Sequence, residues 1–277
     1  MKKHSSKLNI GLSAPNSAIA KLFRKKYSKK HNFFIYYDDI NNKINFQNWL
    51  KLNDKIEIFI NFAAITSKKE CELNKSKALK VNYRSVVNML DILNKSNLKN
   101  FYYFLCLSSS HVFKKSNKKL NEKSIKIPDN FYGNSKLQLE KYVLKNKNNY
   151  NFSIGLARIF NYYTKDSKKS FFINDIKKKI YSKKKIITFK SVDTYRDFVS
   201  IENLLNSLMF MIKNILIGDY NICSGQKIYL KTLVKNINSK YKKKLNFIDT
   251  NQKGLFGSNK KLLNKGFKLK KTKKKFY

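Results

Sequence analysis

The sequence predicts an α/β fold, a doubly wound parallel sheet with a smaller C-terminal α+β portion. Two observations carry this. Up to about Asn161, short continuous apolar runs alternate with stretches of helical periodicity, the pattern of parallel strands buried on both faces by helices. Beyond Asn161 the rhythm shortens into small strands and helices in mixed order. Right-handed crossovers between parallel strands then make the first part doubly wound.

The elements follow in order. Leu8-Asn9-Ile10 reads as a short strand, closed by Gly11, with a helix from about Asn16 to Tyr27. Phe33–Tyr37 is a second apolar run, and Ile56–Phe62 a third that ends in Ala63-Ala64. A long helical pattern spans about Lys75 to Lys95. Phe101–Leu107 is another buried-strand run, ending in Ser108-Ser109-Ser110. A helix over about Phe131–Lys145 and a strand over Phe152–Ala157 complete the first part. In the second part, Phe171–Tyr181, Ile201–Ile212 and Leu230–Asn238 read as helices, and Ile186–Phe189, Tyr220–Cys223 and Lys244–Ile248 as strands. Lys268–Phe276 is a lysine run expected to be a solvated tail.

Composition excludes several classes. The 277 residues carry a formal net charge of +43, a value that ordinarily raises nucleic acid or a membrane surface. Yet only Arg24, Arg84, Arg158 and Arg196 are arginines, and the other 56 basic residues are lysines. Base edges are read chiefly by the bidentate arginine fork. The chain is also crowded with Asn, Ile, Phe and Tyr, all with AT-rich codons, and has 8 Gly and 2 Pro. The charge therefore reads as compositional drift and a solvated lysine coat, with no specific nucleic-acid partner. At 42% hydrophobic residues the chain can bury a sizeable core. No apolar stretch approaches the ~20 residues that cross a bilayer, and Met1–Ser6 lacks the apolar run of a secretory signal. Cys71, Cys106 and Cys223 are odd in number and widely spaced, which fits a reduced cytoplasmic protein and no metal site.

The residues that carry chemistry begin with Tyr132-Gly133-Asn134-Ser135-Lys136. Tyr and Lys four apart share one helix face, and an ammonium beside a phenol favours the phenolate, so Tyr132 is expected at a lowered pKa as a general acid/base. With 17 Tyr in a lysine-rich chain the spacing alone is weak. Context strengthens it. Ser108–Ser110 close a buried strand at its carboxyl end, where open α/β sheets bind ligands. Gly11 follows the first strand, where a helix N-terminus would meet a pyrophosphate.

In this order the chain resembles an extended short-chain dehydrogenase/reductase of the NAD-dependent sugar-nucleotide epimerase/dehydratase type, with a Rossmann-type sheet. Ile60–Thr66 is similar to that family's strand ending in Ala-Ala, and Val81–Leu90 to its Val-Asn-x-x-Gly-Thr-x-Asn-Leu-Leu helix. Leu107–Phe113 resembles its Ser-Ser/Thr-x-x-Val-Tyr turn, and Tyr132–Lys136 with Glu140 its Tyr-x-x-Ser-Lys-x-x-x-Glu helix. Ala157–Tyr163 resembles Arg-x-Phe-Asn-x-Tyr, and Tyr195–Val199 resembles Arg-Asp-Phe-Val. Tyr220–Gly225 and Leu262–Phe267 resemble its Tyr-Asn-Ile-Gly-Ser-Gly and Leu-Gly-Phe segments.

The resemblance implies roles. Ser109, three residues before Val112, is the catalytic hydroxyl, with Ser110 as the fallback and a second substrate contact. Tyr132 is the acid/base, and Lys136 binds the nicotinamide ribose and tunes Tyr132. Ala63 and Ala64 line the cofactor, NAD or NADP. Asn161 and Arg196 contact the diphosphate of a nucleotide-sugar substrate; the alternative for Arg196 is an ion pair with Asp197. Residues 1–163 form the cofactor-binding domain and 164–277 the substrate-binding portion, with some elements returning to the first. A cytoplasmic homodimer through the helices around Lys75–Lys95 and Phe131–Lys145 is implied as well.

Departures from the family pattern narrow the reading. Its Gly-x-x-Gly-x-x-Gly loop is matched to Gly11, Ala14 and Ser17, so weakened dinucleotide binding is expected. Asp38 or Asp39 would take the adenosine ribose, and Lys43 could meet a 2′-phosphate, so NAD and NADP both stay open. Ser110-His111 stand where the family's dehydratases carry Asp-Glu, so dehydration is not expected. His111 reads as a packing or capping residue, with an acid/base role as the alternative. What remains is reduction of a 4-keto sugar nucleotide, favoured by a compact C-terminal portion. The alternatives are a C4-epimerase and a non-catalytic nucleotide-binding member of the fold.

Overall fold

The apolar runs of the first part assemble into one sheet. The computed structural model describes residues 7–164, 171–250 and 253–270. Met1–Ser6, residues 165–170 and the lysine tail after Lys270 lie outside the described residues. The chain runs β1 (Asn9–Ser13), α1 (Ala18–Tyr27), β2 (Asn32–Tyr36), α2 (Lys43–Leu52), β3 (Ile58–Asn61), α3 (Lys68–Leu73) and α4 (Lys75–Leu79). A π turn at Lys80–Arg84 leads into α5 (Ser85–Lys95), then β4 (Tyr103–Ser109), α6 (Phe131–Asn146) and β5 (Ser153–Ile159). There follow β6 (Asn161–Tyr163), α7 (Phe171–Ile180), β7 (Ile186–Lys190), β8 (Tyr195–Arg196), β9 (Phe198–Ser200), α8 (Ile201–Lys213) and β10 (Gly218–Ile222). Last come β11 (Ile228–Tyr229), α9 (Leu230–Asn238), β12 (Lys244–Ile248) and α10 (Lys260–Leu263).

The chain divides into two compact units. The first contains residues up to Lys114, Lys126–Arg158 and Leu205–Tyr220; the second contains Lys115–Ile125, Ile159–Leu204 and Asn221 onward. The main sheet has six strands in the order β10-β5-β4-β3-β1-β2, and β1 pairs in parallel with β2 and β3, as β3 does with β4. The order turns at β1, which has β2 on one side and β3 on the other. That is the topological switch point, and the crevice beyond the strand ends there is where such sheets take ligands. Tyr220–Cys223, read among the strands of the second part, is largely β10, which returns to this sheet beside β5.

Two details differ from the sequence reading. Gly11 does not close the first strand: it lies in the middle of β1, opposite Phe34 on β2 and Phe59 on β3. Asp38-Asp39 do not run on towards the third strand, because the ten-residue helix α2 crosses over first. Asn42 caps it, accepting the Asn45 N–H at 3.0 Å. Phe46, Trp49 and Leu50 give it an apolar face at helical spacing.

That face explains Gly11. Phe46, Trp49, Phe59 and Tyr36 form a mutual aromatic cluster with centroids 5.2–5.9 Å apart. A Cβ on Gly11 would come within 2.7 Å of the Phe59 ring and 3.3 Å of Trp49. Phe59 is fully buried and stacks on Phe104, so it has nowhere to go. In the second unit, β7 pairs in parallel with β12, β6 with β9, and β8 antiparallel with β11. The buried positions of β7 alternate, and Ile187 and Phe189 pack with Ile173, Ile176 and Ile180 of α7 and Leu233, Val234 and Ile237 of α9.

Overpacking at this point sets a first prediction. Gly11→Ala should lower unfolding stability by about 1–3 kcal/mol. Denaturant melts would read this as a lower midpoint with an unchanged slope.

Candidate functional site

The site is built where β4 meets α6. Strand alternation turns Ser108 and Ser109 to opposite sides of β4. The Ser108 hydroxyl donates to Glu140 Oε1 on α6 at 2.6 Å. The Ser109 hydroxyl is hydrogen-bonded to that of Tyr132 and accepts the His111 N–H at 3.3 Å. Ser110, buried, opens a 3-10 turn to Val112. Asn130 caps α6 through the Gly133 N–H at 2.9 Å. Tyr132 and Lys136 fall one turn apart on it, at 9% and 3% exposure. The Lys136 ammonium reaches back to the Leu107 carbonyl at 3.0 Å. Three successive residues of β4 thus hold α6. Gly133 permits the approach: a Cβ there would meet the His111 carbonyl oxygen at 2.2 Å.

Electrostatics correct one expectation. Tyr132 is not acidified. Burial pushes its pKa up to about 12, and the opposing hydrogen bond comes from Ser109. Lys136 carries the larger functional shift, held down to about 8 by burial and partly offset by Cys106, Cys71 and Glu140. At neutral pH the pair is therefore a protonated phenol beside a marginally held ammonium. The His111 ring packs edge-on against Tyr132, centroids 6.0 Å apart, as the packing reading expects.

Asn82, quoted in a motif but given no role from sequence, is a central connector. It is fully buried in the π turn. Its Oδ1 accepts the Ile65 N–H at 2.8 Å, and its Nδ2 donates to the Ile65 carbonyl and to Ser135 Oγ, both at 3.0 Å. Ser135 in turn donates to the Tyr132 carbonyl at 2.8 Å. One amide thus ties the segment after β3, with Ala63 buried and Ala64 half-buried, to the helix turn of Tyr132 and Lys136. Its signal was the π turn, a frequent mark of function that no sequence period reveals.

At the switch point, Ser13 at the end of β1 donates to Asn61 of β3 at 2.5 Å, and Asn61 also accepts the Ala63 N–H at 3.1 Å. The β1–α1 turn holds Ala14 in the left-handed region, φ 47°. Ser17 caps α1, accepting the Ala20 N–H at 3.4 Å, and Ala20 is fully buried. Small side chains at 14, 17 and 20 keep this turn tight. Asp38 and Asp39 are exposed after β2, and Asp39 accepts from the backbone and side chain of Asn41 at 2.9 and 2.8 Å.

Asn161 and Arg196 lie together in the second unit, with Arg196 Nη1 3.5 Å from Asn161 Oδ1. Asn161 Nδ2 donates to the Asp197 carbonyl at 3.3 Å. The fully buried Asp197 carboxylate accepts from Ser224 N and Oγ, Gly225 N and Gly257 N at 2.7–3.3 Å. It anchors the strand that presents Arg196. Among the described residues no helix is long and apolar enough to cross a membrane, and no group of three metal-ligating side chains occurs.

An open Rossmann-type sheet with a buried Ser–Tyr–Lys set at the strand end defines the class, the extended short-chain dehydrogenase/reductases. Within it, the chain belongs to the family described as GDP-mannose 4,6 dehydratase, which it matches over residues 7–275. It is 26% identical over 196 residues to GDP-6-deoxy-D-mannose reductase of Pseudomonas aeruginosa, a match covering 68% of this chain and 63% of that relative. Its fold is similar to RMD from Pseudomonas aeruginosa complexed with NADPH, with a TM-score of 0.80, 21% identity and 95% of each chain covered. It is also similar to dTDP-4-dehydrorhamnose reductase of Bacillus anthracis in complex with NADP, with a TM-score of 0.79, 18% identity and coverage of 95% and 94%. A third likeness is to UDP-glucose 4-epimerase of Thermus thermophilus complexed with NAD, with a TM-score of 0.79, 12% identity and 94% of each chain covered.

Burying Lys136 has a stability sign. Its pKa falls from 10.5 to about 8 on folding, so the unfolded chain binds more protons in that window. Stability should rise with pH from about 8 to 10.5, and the burden is fully present below 8. Lys136→Met should therefore stabilise the fold by about 1–2 kcal/mol at pH 7. Thermal melts at pH 7 and pH 10 check this, and the gain should shrink at the higher pH.

Proposed function

We propose that this protein is an NAD(P)-dependent oxidoreductase that reduces a 4-keto sugar nucleotide. The observation that carries the reading is the buried Ser109–Tyr132–Lys136 set with Tyr132 held protonated. A ketone reduction needs a proton donor at neutral pH, which a phenol at about 12 supplies once negative charge develops beside it. Ser109 orients the sugar carbonyl, and Tyr132 delivers its proton to the carbonyl oxygen. Lys136 stabilises the phenolate left behind until solvent reprotonates it. The bound nicotinamide supplies the hydride. Dehydration lacks its acid pair, since Ser110-His111 offer no carboxylate and the His111 ring packs on Tyr132.

The cofactor is held by residues of the first part, 1–163. Its diphosphate lies against the β1–α1 turn in the frame Ala14, Ser17, Ala20, three residues later than the frame that starts at Gly11. Ala63 and Ala64 line it, Lys136 takes the nicotinamide ribose, and Asp38, with Asp39 as the neighbour, takes the adenosine ribose. The substrate role falls to 164–277 together with Asn161, and Arg196 with Asn161 binds the nucleotide sugar's diphosphate. We place the protein in the cytoplasm as a homodimer, its three buried free cysteines suiting a reducing compartment.

The test is stoichiometric. Purified protein given GDP-6-deoxy-D-mannose, with dTDP- and UDP-sugars as a panel, and NAD or NADP should form one reduced nicotinamide per sugar oxidised. Interconversion of two sugar nucleotides without net change in nicotinamide absorbance would instead mark an epimerase. Tyr132→Phe should lower kcat by about 100-fold or more, unchanged turnover would remove Tyr132 as the acid/base, and no turnover in the wild-type protein would mark a non-catalytic member of the fold. A left-handed alanine is strained by roughly 1–2 kcal/mol. Ala14→Gly should thus raise both the melting temperature and dinucleotide affinity, read by thermal shift with and without NADH or NADPH.

A further inference from the structure

We propose that Lys227 is a positioning residue for Arg196, its ammonium closing a three-ring cage behind the short strand that presents that arginine. The inference rests on the reading of Arg196 as a diphosphate contact. Lys227 stands just before β11. Its Nζ lies 4.0 Å from the centroid of the Tyr195 ring, 5.1 Å from that of Tyr229 and 5.6 Å from that of Phe256. The rings meet edge to face, Tyr195 with Tyr229 at 5.9 Å and with Phe256 at 5.4 Å. Three segments distant in sequence thus supply the cage: β8, β11 and the stretch around Phe256. A cation set over several ring faces is held by their quadrupoles. Tyr195 is buried, whereas Tyr229 and Lys227 are exposed, so the ammonium closes the cage from its solvent side.

The strand needs this support because it is short. β8 is two residues, Tyr195 and Arg196, paired with Tyr229 and Ile228 of β11. So brief a ladder offers few hydrogen bonds, and side-chain contacts set its direction. Alternation puts Tyr195 and Arg196 on opposite faces. On the first face, the Tyr195 hydroxyl donates to the Ser116 carbonyl and lies 3.2 Å from Asn117 Oδ1, while Lys227 covers the ring. Gly254 lets the neighbouring segment close up, since a Cβ there would come within 2.6 Å of the Tyr195 ring. That segment bonds β8 along its edge: the Leu255 N–H donates to the Tyr195 carbonyl at 3.3 Å, and the Asp197 N–H to the Leu255 carbonyl at 3.1 Å. On the other face Arg196 meets Asn161. The ring that Lys227 pins is the residue bonded to the arginine, so a shift of Tyr195 passes directly to the guanidinium. Lys227 itself is turned to the rings, on the face away from Arg196, which makes it a support and not a phosphate ligand.

The test is calorimetric binding at high salt, where the field of exposed charges is screened. The probes are NADPH and whichever of GDP, UDP and dTDP the wild-type protein binds most tightly. Lys227→Met should weaken the nucleoside diphosphate about 5- to 10-fold and leave NADPH unchanged. Lys227→Arg, whose guanidinium also stacks on aromatic faces, should stay near wild type. Tyr229→Leu keeps the charge but removes one exposed ring, and should weaken the same affinity by a smaller factor. Lys231→Met removes an equal charge from α9, where that lysine pairs with Asp249, and should leave both affinities in place. An unchanged Kd in Lys227→Met, an equal loss in Lys231→Met, or an equal loss of NADPH would overturn the proposal. Arg196→Gln separates the two levels. Binding there as tight as wild type, or a wild-type protein that takes none of the three nucleotides, removes the diphosphate reading and this inference with it. A weakened Arg196→Gln beside an unmoved Lys227→Met removes only this inference.

Discussion

The first unit depends on one buried cation. Arg158 has no exposed surface, and an uncompensated guanidinium in that position would not be tolerated. Glu140 and Asp219 compensate it from α6 and β10, two elements far apart in sequence and on either side of β5 in the chain. Meeting that need fixes where α6 lies along β4. Once it is fixed, Lys136 falls under the Leu107 carbonyl and Tyr132 against Ser109. The geometry of the site is downstream of a neutralisation problem in the core.

A second constraint comes from composition. The chain has 8 glycines, and each stands either where a Cβ would meet a neighbour within 3.0 Å or where φ is positive. Ala14 is nonetheless left-handed, as Ser191, Ile215 and Lys242 are among the described residues, and it alone of these stands at the turn where the ligand role is proposed. Such strain is ordinary at functional turns, and the fully buried Ala20 keeps helix and sheet close behind it.

Much of this was legible in the sequence because it rests on local pattern. The buried runs gave strands, and the serine turn and the Tyr132–Lys136 spacing gave the face of α6 that meets the end of β4. Gly11 misled because a glycine near a strand end suggests a turn, whereas this one makes room for Phe59 and Trp49, which are distant in sequence. The helix α2 was passed over although Phe46, Trp49 and Leu50 carry its period, because polar residues surround them. The raised pKa of Tyr132 could not be read either. Spacing reports the charge beside the phenol, and only packing reports how little water reaches it.

The lysine coat acquires a kinetic meaning. The proposed ligands, a dinucleotide and a nucleotide sugar, are both polyanions, and a charge of +43 would draw them in over distances of about a Debye length. Such a field discriminates poorly among anions and weakens as salt rises. Encounter is then a property of the whole surface and fades with ionic strength. Discrimination is left to the few arginine forks and amides that composition has spared, among them the Arg196 and Asn161 proposed above as the diphosphate contacts.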